Sequence, residues 1–248
     1  MTYKLDSQYA GYPPIEAVVP VPALPPFGLP ISPGFLVRAE DPVWGPGEFI
    51  FGRVSAGIRL YGGCMALPVW DATNKVYTYN FLEWTATANA GRPYYIYQGN
   101  VAGTTGQYAW FQMSGRSPLN SSASVAAGVA VGHNATGQGT PDAATLGIEG
   151  AICVTPATQT VVSAGQGVIG DSAIKLASTA GFFVGGYLTG TGVGTNAIVT
   201  AVDPNGKTIQ ASVVNSAAIS GNVTVTYNNA TIFYNVLEMN RMHGADEA

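Results

Sequence analysis

The stretch from residue 108 to residue 113 carries bulky apolar side chains at both odd and even positions. Successive side chains of a strand point to opposite faces, so Tyr108 and Trp110 share one face and Phe111 lies on the other. A strand that is bulky on both faces is expected in the centre of a sheet, covered from both sides. Residues 92–98 form an aromatic strand upstream, and the Gly, Asn and Thr loop between the two predicts a hairpin.

Short apolar stretches separated by turn residues continue from residue 48 to about residue 162. The turn Asp71-Ala-Thr-Asn74 is predicted because Asp and Asn side chains accept hydrogen bonds from nearby backbone groups. The one helix candidate is 142–146, a single turn. This spacing predicts an all-β fold with a compact barrel or sandwich core. The other predicted strands of this part are 48–51, 52–56, 58–61, 64–70, 76–81 and 148–154.

Aromatic residues nearly vanish between residues 163 and 227, where small β-branched residues alternate with glycine turns. Asp203-Pro-Asn-Gly206 is a tight hairpin signal within this segment. After it, 232–237 is bulky and alternating again, which matches the first part of the chain. We therefore predict a main β domain of residues 47–162 plus 228–241, with 163–227 as a small inserted β domain. Its five predicted strands are 173–176, 187–189, 197–202, 208–211 and 223–227.

Residues 1–46 are predicted to form an extended arm. Ten prolines lie between Pro13 and Pro46, and proline fixes φ and cannot donate a ladder hydrogen bond. The segment is expected to be largely polyproline II, and its apolar side chains have no local way to be buried. A free tail is one interpretation, but we favour an arm that becomes ordered on a neighbouring subunit. Deleting residues 1–45 is then expected to leave a folded domain.

Charge is scarce in this chain. Asp, Glu, Lys and Arg make up 10% of the residues, against about 25% in an average soluble domain. This low content of charged residues suggests that partners cover much of the exterior. The net charge of −4 and the lack of a Lys/Arg cluster argue against nucleic-acid binding, and no apolar run is long enough to predict a membrane span or a signal peptide. Cys64 and Cys153 are expected to be buried thiols of a protein made in a reducing cytosol.

The residues that could carry catalysis are few and scattered. The two histidines, His133 and His243, have no cysteine at a metal-ligand spacing, and no nucleophile or phosphate-loop motif occurs. Gly190-Thr-Gly-Val-Gly194 is interpreted as turns, because it precedes a strand and not a helix. We therefore expect no enzyme activity, no metal and no cofactor.

Several aromatic side chains on predicted strands leave two interpretations open. They could form a sugar-binding face, or they could lie in the core or in a subunit interface, where such side chains are enriched, and we favour the second. These residues are Tyr77, Tyr79, Tyr94, Tyr95, Tyr97 and Trp110.

Four motifs between residues 47 and 155 resemble the small head decoration proteins of tailed bacteriophages, also called cement or capsid-stabilising proteins. They are Gly47-Glu-Phe-Ile-Phe51, Gly106-Gln-Tyr-Ala-Trp-Phe-Gln-Met-Ser-Gly115, Ala126-Ala-Gly-Val-Ala-Val-Gly132 and Leu146-Gly-Ile-Glu-Gly-Ala-Ile-Cys-Val154. The motifs encode strands and turns of that family and no reactive site. The long proline-rich arm departs from its shorter members.

The resemblance implies a structural protein that binds the outside of an icosahedral phage head and bridges major capsid proteins. It would be assembled in the cytoplasm of the host bacterium, and we expect a homo-oligomer, a trimer first and a dimer second. The alternatives are a carbohydrate-binding or adhesive virion module and a tail or fibre component. The expected contacts with the capsid or a neighbouring subunit are made by Tyr12, Pro13, Pro14, Phe27, Leu29, Phe35 and Trp44.

Overall fold

The computed structural model describes twelve stretches of the chain. These stretches are residues 4–5, 15, 18–19, 31–41, 44–55, 63–83, 93–99, 103–133, 138–141, 147–203, 205–229 and 233–244.

Within these ranges the chain is all β and contains no helix, which confirms the predicted fold class. The helix candidate 142–146 and the predicted strand 58–61 lie outside the described residues. The strands are β1 (Lys4–Leu5), β2 (Leu36–Asp41), β3 (Gly45–Val54), β4 (Cys64–Asp71), β5 (Val76–Glu83), β6 (Tyr95–Tyr97), β7 (Tyr108–Ser121), β8 (Ala130–His133), β9 (Gly139–Pro141), β10 (Gly147–Thr155), β11 (Thr160–Gly167), β12 (Ala173–Leu176), β13 (Tyr187–Thr189), β14 (Val199–Asp203), β15 (Thr208–Ala211), β16 (Ile219–Thr226) and β17 (Phe233–Gly244).

The 14-residue strand β7 is central, as its sequence predicts. It pairs with β3, β6, β9 and β17, and β6–β7 is the predicted antiparallel pair. Trp110 and Phe111 are both fully buried although they point to opposite faces. Each face of β7 is therefore covered by a different hydrophobic cluster.

Five strands close into a first barrel. β3 pairs with β5, β5 with β4, β4 with β6, β6 with β7, and β7 returns to β3. Phe81 and Phe111 stack inside it with ring centroids 4.0 Å apart. The buried cluster of this barrel consists of Ile50, Val54, Cys64, Ala66, Phe81, Tyr97, Ala109 and Phe111.

A second ring of strands shares β7 with the first. β7 pairs with β17, β17 with β10, β10 with β8, β8 with β9, and a parallel bridge from Ser121 to Gly139 returns to β7. This ring contributes to a second buried cluster, which includes Leu119, Val131, Cys153 and Leu237. The last strand thus returns to the main sheet, as predicted.

A buried polar cluster lies where β7 passes from one ring to the other. The Nε2 of Gln98 donates to Gln112 Oε1 at 2.8 Å and to Ser117 Oγ at 3.0 Å. Gln112 in turn donates to the backbone oxygens of Ser114 (2.9 Å) and Arg116 (3.1 Å). A single buried group satisfies backbone oxygens of both halves of the strand, which fixes the path of β7 at the junction.

Residues 160–226 form a six-stranded sheet in the order β13-β16-β11-β12-β15-β14. An antiparallel bridge between Tyr187 and Ile198 joins the two outer strands, so this sheet also closes into a small barrel. The hairpin predicted at residues 203–206 joins β14 and β15, and Asp203 Oδ1 accepts the Gly206 N–H at 3.0 Å. The strands predicted at 173–176, 187–189 and 208–211 have the predicted bounds.

Phe183 connects the small barrel to the rest of the chain. Its ring is fully buried, with centroids 6.4 Å from Trp44, 4.7 Å from Tyr227 and 5.2 Å from Tyr234. Residues of both sheets therefore share one hydrophobic cluster. The predicted border at residue 163 falls inside β11, and the division of the chain into domains stays a prediction.

The expectation of a largely polyproline II arm is wrong for the described part of residues 1–46. Residues 36–41 form β2, which pairs along β3, and Val19 exchanges two backbone hydrogen bonds with Tyr108 (2.8 and 3.0 Å). Ile15 and Ile31 are buried in the chain's own core. The physical reason is local, because no proline interrupts residues 34–41 and β3 offers a free edge.

Two smaller predictions are confirmed. Asp71 Oδ1 accepts the N–H groups of Thr73 (2.9 Å) and Asn74 (3.1 Å) in the predicted turn. Cys64 and Cys153 are buried in separate clusters and form no disulfide.

Candidate functional site

The structure separates the aromatic residues of the strands into buried and exposed ones. Tyr94, Tyr97 and Trp110 are at most 2% exposed and belong to the core. Tyr77 and Tyr79 on β5 are 36% and 50% exposed. Only these two of the six tyrosine and tryptophan candidates, with the half-buried Tyr95, have rings that a ligand could reach.

Tyr77 and Tyr79 are part of a larger exposed surface, which we call the aromatic face and define as Leu36, Trp70, Tyr77 and Tyr79. Trp70 is the cross-strand partner of Tyr77, and their rings meet edge to face with centroids 4.9 Å apart. Trp70 is 43% exposed and Leu36 58% exposed. The face therefore presents three aromatic rings and one aliphatic side chain to solvent.

Strand registers place these four side chains on one side of the main sheet. Leu36 pairs with Ile50, which faces the same cluster as Phe81, and cross-strand partners share a face. Tyr79 precedes Phe81 by two residues and so points in the same direction. The side of β5 that faces the barrel interior at Phe81 therefore carries Tyr79 and Tyr77 before the strand reaches its pairing with β3. At these two residues the same side of the strand is open to solvent.

The backbone that carries the rings makes close contacts at both ends of the face. Tyr79 lies directly on Gly34, where an added Cβ would come within 2.5 Å of the ring and where the φ of +91° also favours glycine. The Asp71 turn holds the other end, because the Asp71 carboxylate also accepts the Asn74 side-chain amide at 2.7 Å. The hydrogen bonds from Asn74 and Thr73 stabilise the ionised carboxylate and so lower the pKa of Asp71 below its usual value.

A charged pair borders the face on β2 and β3. Arg38, two residues after Leu36 on β2, pairs with Glu48 at 3.1 Å, and Ser114 Oγ donates to the same carboxylate at 3.2 Å. An aromatic centre with a polar, ion-paired rim is the usual composition of a protein–protein interface.

The residues predicted as contacts are distributed differently from the expectation. Trp44 is 9% exposed and packs against Phe183, so its ring belongs to the chain's own core and is not available to a partner. Phe35 is 36% exposed, and its backbone oxygen accepts the Phe51 N–H at 2.9 Å. The other five predicted contacts, Tyr12, Pro13, Pro14, Phe27 and Leu29, lie outside the described residues.

Sequence reasoning did not single out Trp70 or Leu36. Trp70 is the last residue of the predicted strand 64–70 and directly precedes the Asp71 turn. This position is a signal in the sequence, because a hairpin at that turn places Trp70 across from Tyr77. Leu36 belongs to the predicted arm, and the proline pattern gives no signal for its pairing with β3.

The described part of the chain shows no group of three His, Cys, Asp or Glu side chains placed to hold a metal ion. His133 is 4% exposed and lies beside Tyr94, with ring centroids 5.8 Å apart. Across the described ranges, no helix could span a membrane.

Comparisons with protein-family models, with curated proteins and with solved structures find no match to this chain.

Proposed function

We propose that this protein is a non-enzymatic structural component of a phage virion that binds the outer surface of the capsid and stabilises it by bridging major capsid proteins. The observation that carries the proposal is the aromatic face. Trp and Tyr are among the residues that most often dominate binding energy at interfaces, and here three such rings are exposed on the paired strands β4 and β5. The motif resemblance of residues 47–155 supplies the identity of the partner.

Stabilisation would follow from mass action. A protein that contacts only the assembled, expanded shell lowers the free energy of that state by an amount that grows with the concentration of free protein. Sparse charge fits this role, because a surface that is covered by partners has less need of charges for solubility. We expect a homo-oligomer, a trimer before a dimer, since several faces that bind one lattice together raise the avidity.

The proposed contact differs from the sequence-based expectation in its location. The arm contributes Ile15, Val19 and β2 to the chain's own fold, so the aromatic face, and not Trp44, is the surface that we assign to the capsid. Phe35, which is 36% exposed, stays a proposed contact.

Binding to capsids tests the proposal. Purified protein is mixed with phage heads from which the decoration has been stripped, and the heads are sedimented and then heated. Saturable co-sedimentation and a raised rupture temperature are expected. Heads that bind none of the protein would overturn the proposal.

A carbohydrate-binding role is a second candidate, and the same face favours it, because exposed Tyr and Trp rings carry O–H and N–H groups beside an apolar surface. Binding to a glycan array at micromolar strength that is lost in Trp70→Ala, without binding to heads, would favour this function.

A further inference from the structure

One end of the small barrel exposes four aliphatic side chains on two neighbouring loops. The loop between β11 and β12 carries Val168 and Ile169, which are 68% and 63% exposed. The loop between β15 and β16 carries Val213 and Val214, which are 38% and 53% exposed. We call these four side chains the apolar tip.

The loops of the apolar tip are held together by Asn215, which is 1% exposed. Its side-chain Nδ2 donates to Val168 O at 3.1 Å, its N–H donates to Asp171 O at 2.7 Å, and its carbonyl accepts the Gly170 N–H at 3.0 Å. Three hydrogen bonds from one buried residue fix both loops. The backbone of the two loops is therefore held together before a contact forms, which reduces the ordering entropy that the contact costs.

A groove of about 440 Å³ on the small barrel shares Val168 with the apolar tip. Val168 forms part of its lining, together with the exposed charged residues Asp171 and Lys175 and the edge of Ile219. The surface thus combines an apolar ridge with one acid and one base on the same side.

We propose that the apolar tip and its groove form a contact between the small barrels of two copies of this chain, related by a two-fold axis. A two-fold axis brings the same patch of both copies together, so an acid and a base beside one ridge can face each other's opposite charge. The four side chains of the tip carry no hydrogen-bonding group, which suits burial against another apolar tip and not against a sugar or a phosphate.

The contact is expected to be weak because it buries little surface. Stable interfaces bury about 800 Å² on each partner, and four aliphatic side chains with a narrow groove supply much less. It becomes effective where copies are held side by side at a high local concentration. This last step rests on the proposed function, in which a capsid lattice arrays the copies; the contact itself does not.

The test uses the full chain with one added cysteine and a short bis-maleimide crosslinker. Val214→Cys places a thiol on the tip, and Val162→Cys places one at 55% exposure on β11 of the same barrel as a matched control. Both native cysteines are buried. We expect Val214→Cys to form crosslinked dimers at least about fivefold faster than Val162→Cys at equal concentration.

Charge reversal tests the pairing. In the Val214→Cys chain, Lys175→Asp should slow crosslinking about fivefold, because it places acids opposite each other. Adding Asp171→Asn removes that repulsion, retains the Oδ1 that accepts the Ala173 N–H at 3.0 Å, and should restore much of the rate. Equal crosslinking at residues 162 and 214, or a double variant as slow as the single one in a chain with an unchanged circular dichroism spectrum, would overturn the proposal.

These measurements need no capsid. A chain that crosslinks through its tip but does not bind heads would retain this inference and contradict the proposed function. A chain that binds heads but shows no preference for residue 214 would do the opposite.

Discussion

The edge of one ring of the Trp70–Tyr77 pair meets the face of the other across the antiparallel strands β4 and β5, with centroids 4.9 Å apart. Edge-to-face pairs of this kind contribute about 0.5–1.5 kcal/mol beyond the area that they bury. Here both rings also remain partly open to solvent. The pair therefore orders its own side chains in the free protein, which lowers the entropy that a partner would have to remove.

Replacing two rings of the aromatic face should weaken capsid binding and leave the fold intact. We expect Trp70→Ser with Tyr79→Ser to raise the dissociation constant for heads by about 30-fold or more, as two interface hot-spot residues would. Ile152→Ser is the control, because Ile152 is 50% exposed on β10 and lies outside the face. Quantitative co-sedimentation measures both; equal loss in the two variants would contradict the assignment.

Phe183→Ala should destabilise the chain by about 3–5 kcal/mol, because it removes a buried ring and leaves a cavity. The ring contacts Trp44, Tyr227 and Tyr234, so the packing between the small barrel and the main sheet should loosen as well. Urea unfolding followed by tryptophan fluorescence measures the loss. Val214→Ser in the same barrel is the control and should change the free energy of unfolding by less than about 0.5 kcal/mol.

Gly115→Ala should cost more stability than Gly128→Ala, although both glycines have positive φ (92° and 80°). A Cβ on Gly115 would overlap the backbone oxygen of Pro46, whereas a Cβ on Gly128 meets nothing within 4 Å. The Gly128 variant therefore bears only the strain of a left-handed residue, about 1–2 kcal/mol. Equal midpoints in urea for the two variants would show that β3 and β7 do not approach as closely at this position.

Removing residues 1–45 should destabilise the chain, contrary to the expectation from the proline pattern. The truncation deletes β2 and the buried Ile15, Ile31 and Trp44, and it exposes an edge of β3. Thermal unfolding should show a clearly lower midpoint or aggregation. A truncated chain whose unfolding midpoint equals that of the full-length protein would contradict the contribution of these residues to the core.

The sequence predicted the features of the fold that local chemistry determines. The double-sided apolar pattern of residues 108–113 identified the central strand, and Asp71 and Asp203 identified two turns through their own side-chain hydrogen bonds. Residues 36–41 were missed because prolines on either side dominated the interpretation of a proline-free stretch that pairs with β3.

The candidate site was harder to predict because burial depends on distant strands. Tyr77 and Tyr97 have the same alternation in sequence, yet Tyr97 faces the closed interior of the first barrel and Tyr77 lies beyond it. Ring closure is a long-range property, and no pattern within one strand shows where it ends. The aromatic face could therefore be recognised only once the registers were known.

Alkaline pH should destabilise the chain through two buried phenols. Burial raises the pKa of Tyr97 well above its usual value, aided by the nearby Cys64, and burial also raises the pKa of Tyr227. A raised folded-state pKa stabilises the fold fully below the unfolded pKa of about 10, and this contribution is lost as pH rises above it. Phenolate absorbance should show at least these two tyrosines ionising only with unfolding; ionisation of Tyr97 or Tyr227 in the folded chain would contradict its burial.

The central claim, that the aromatic face binds a capsid surface, is tested most directly by the rupture temperature of stripped phage heads with and without this protein. We predict that wild-type protein saturates the heads and raises the rupture temperature, and that the Trp70→Ser, Tyr79→Ser variant at the same concentration does not. A rupture temperature that wild-type protein leaves unchanged, at concentrations that saturate any binding, would contradict the account.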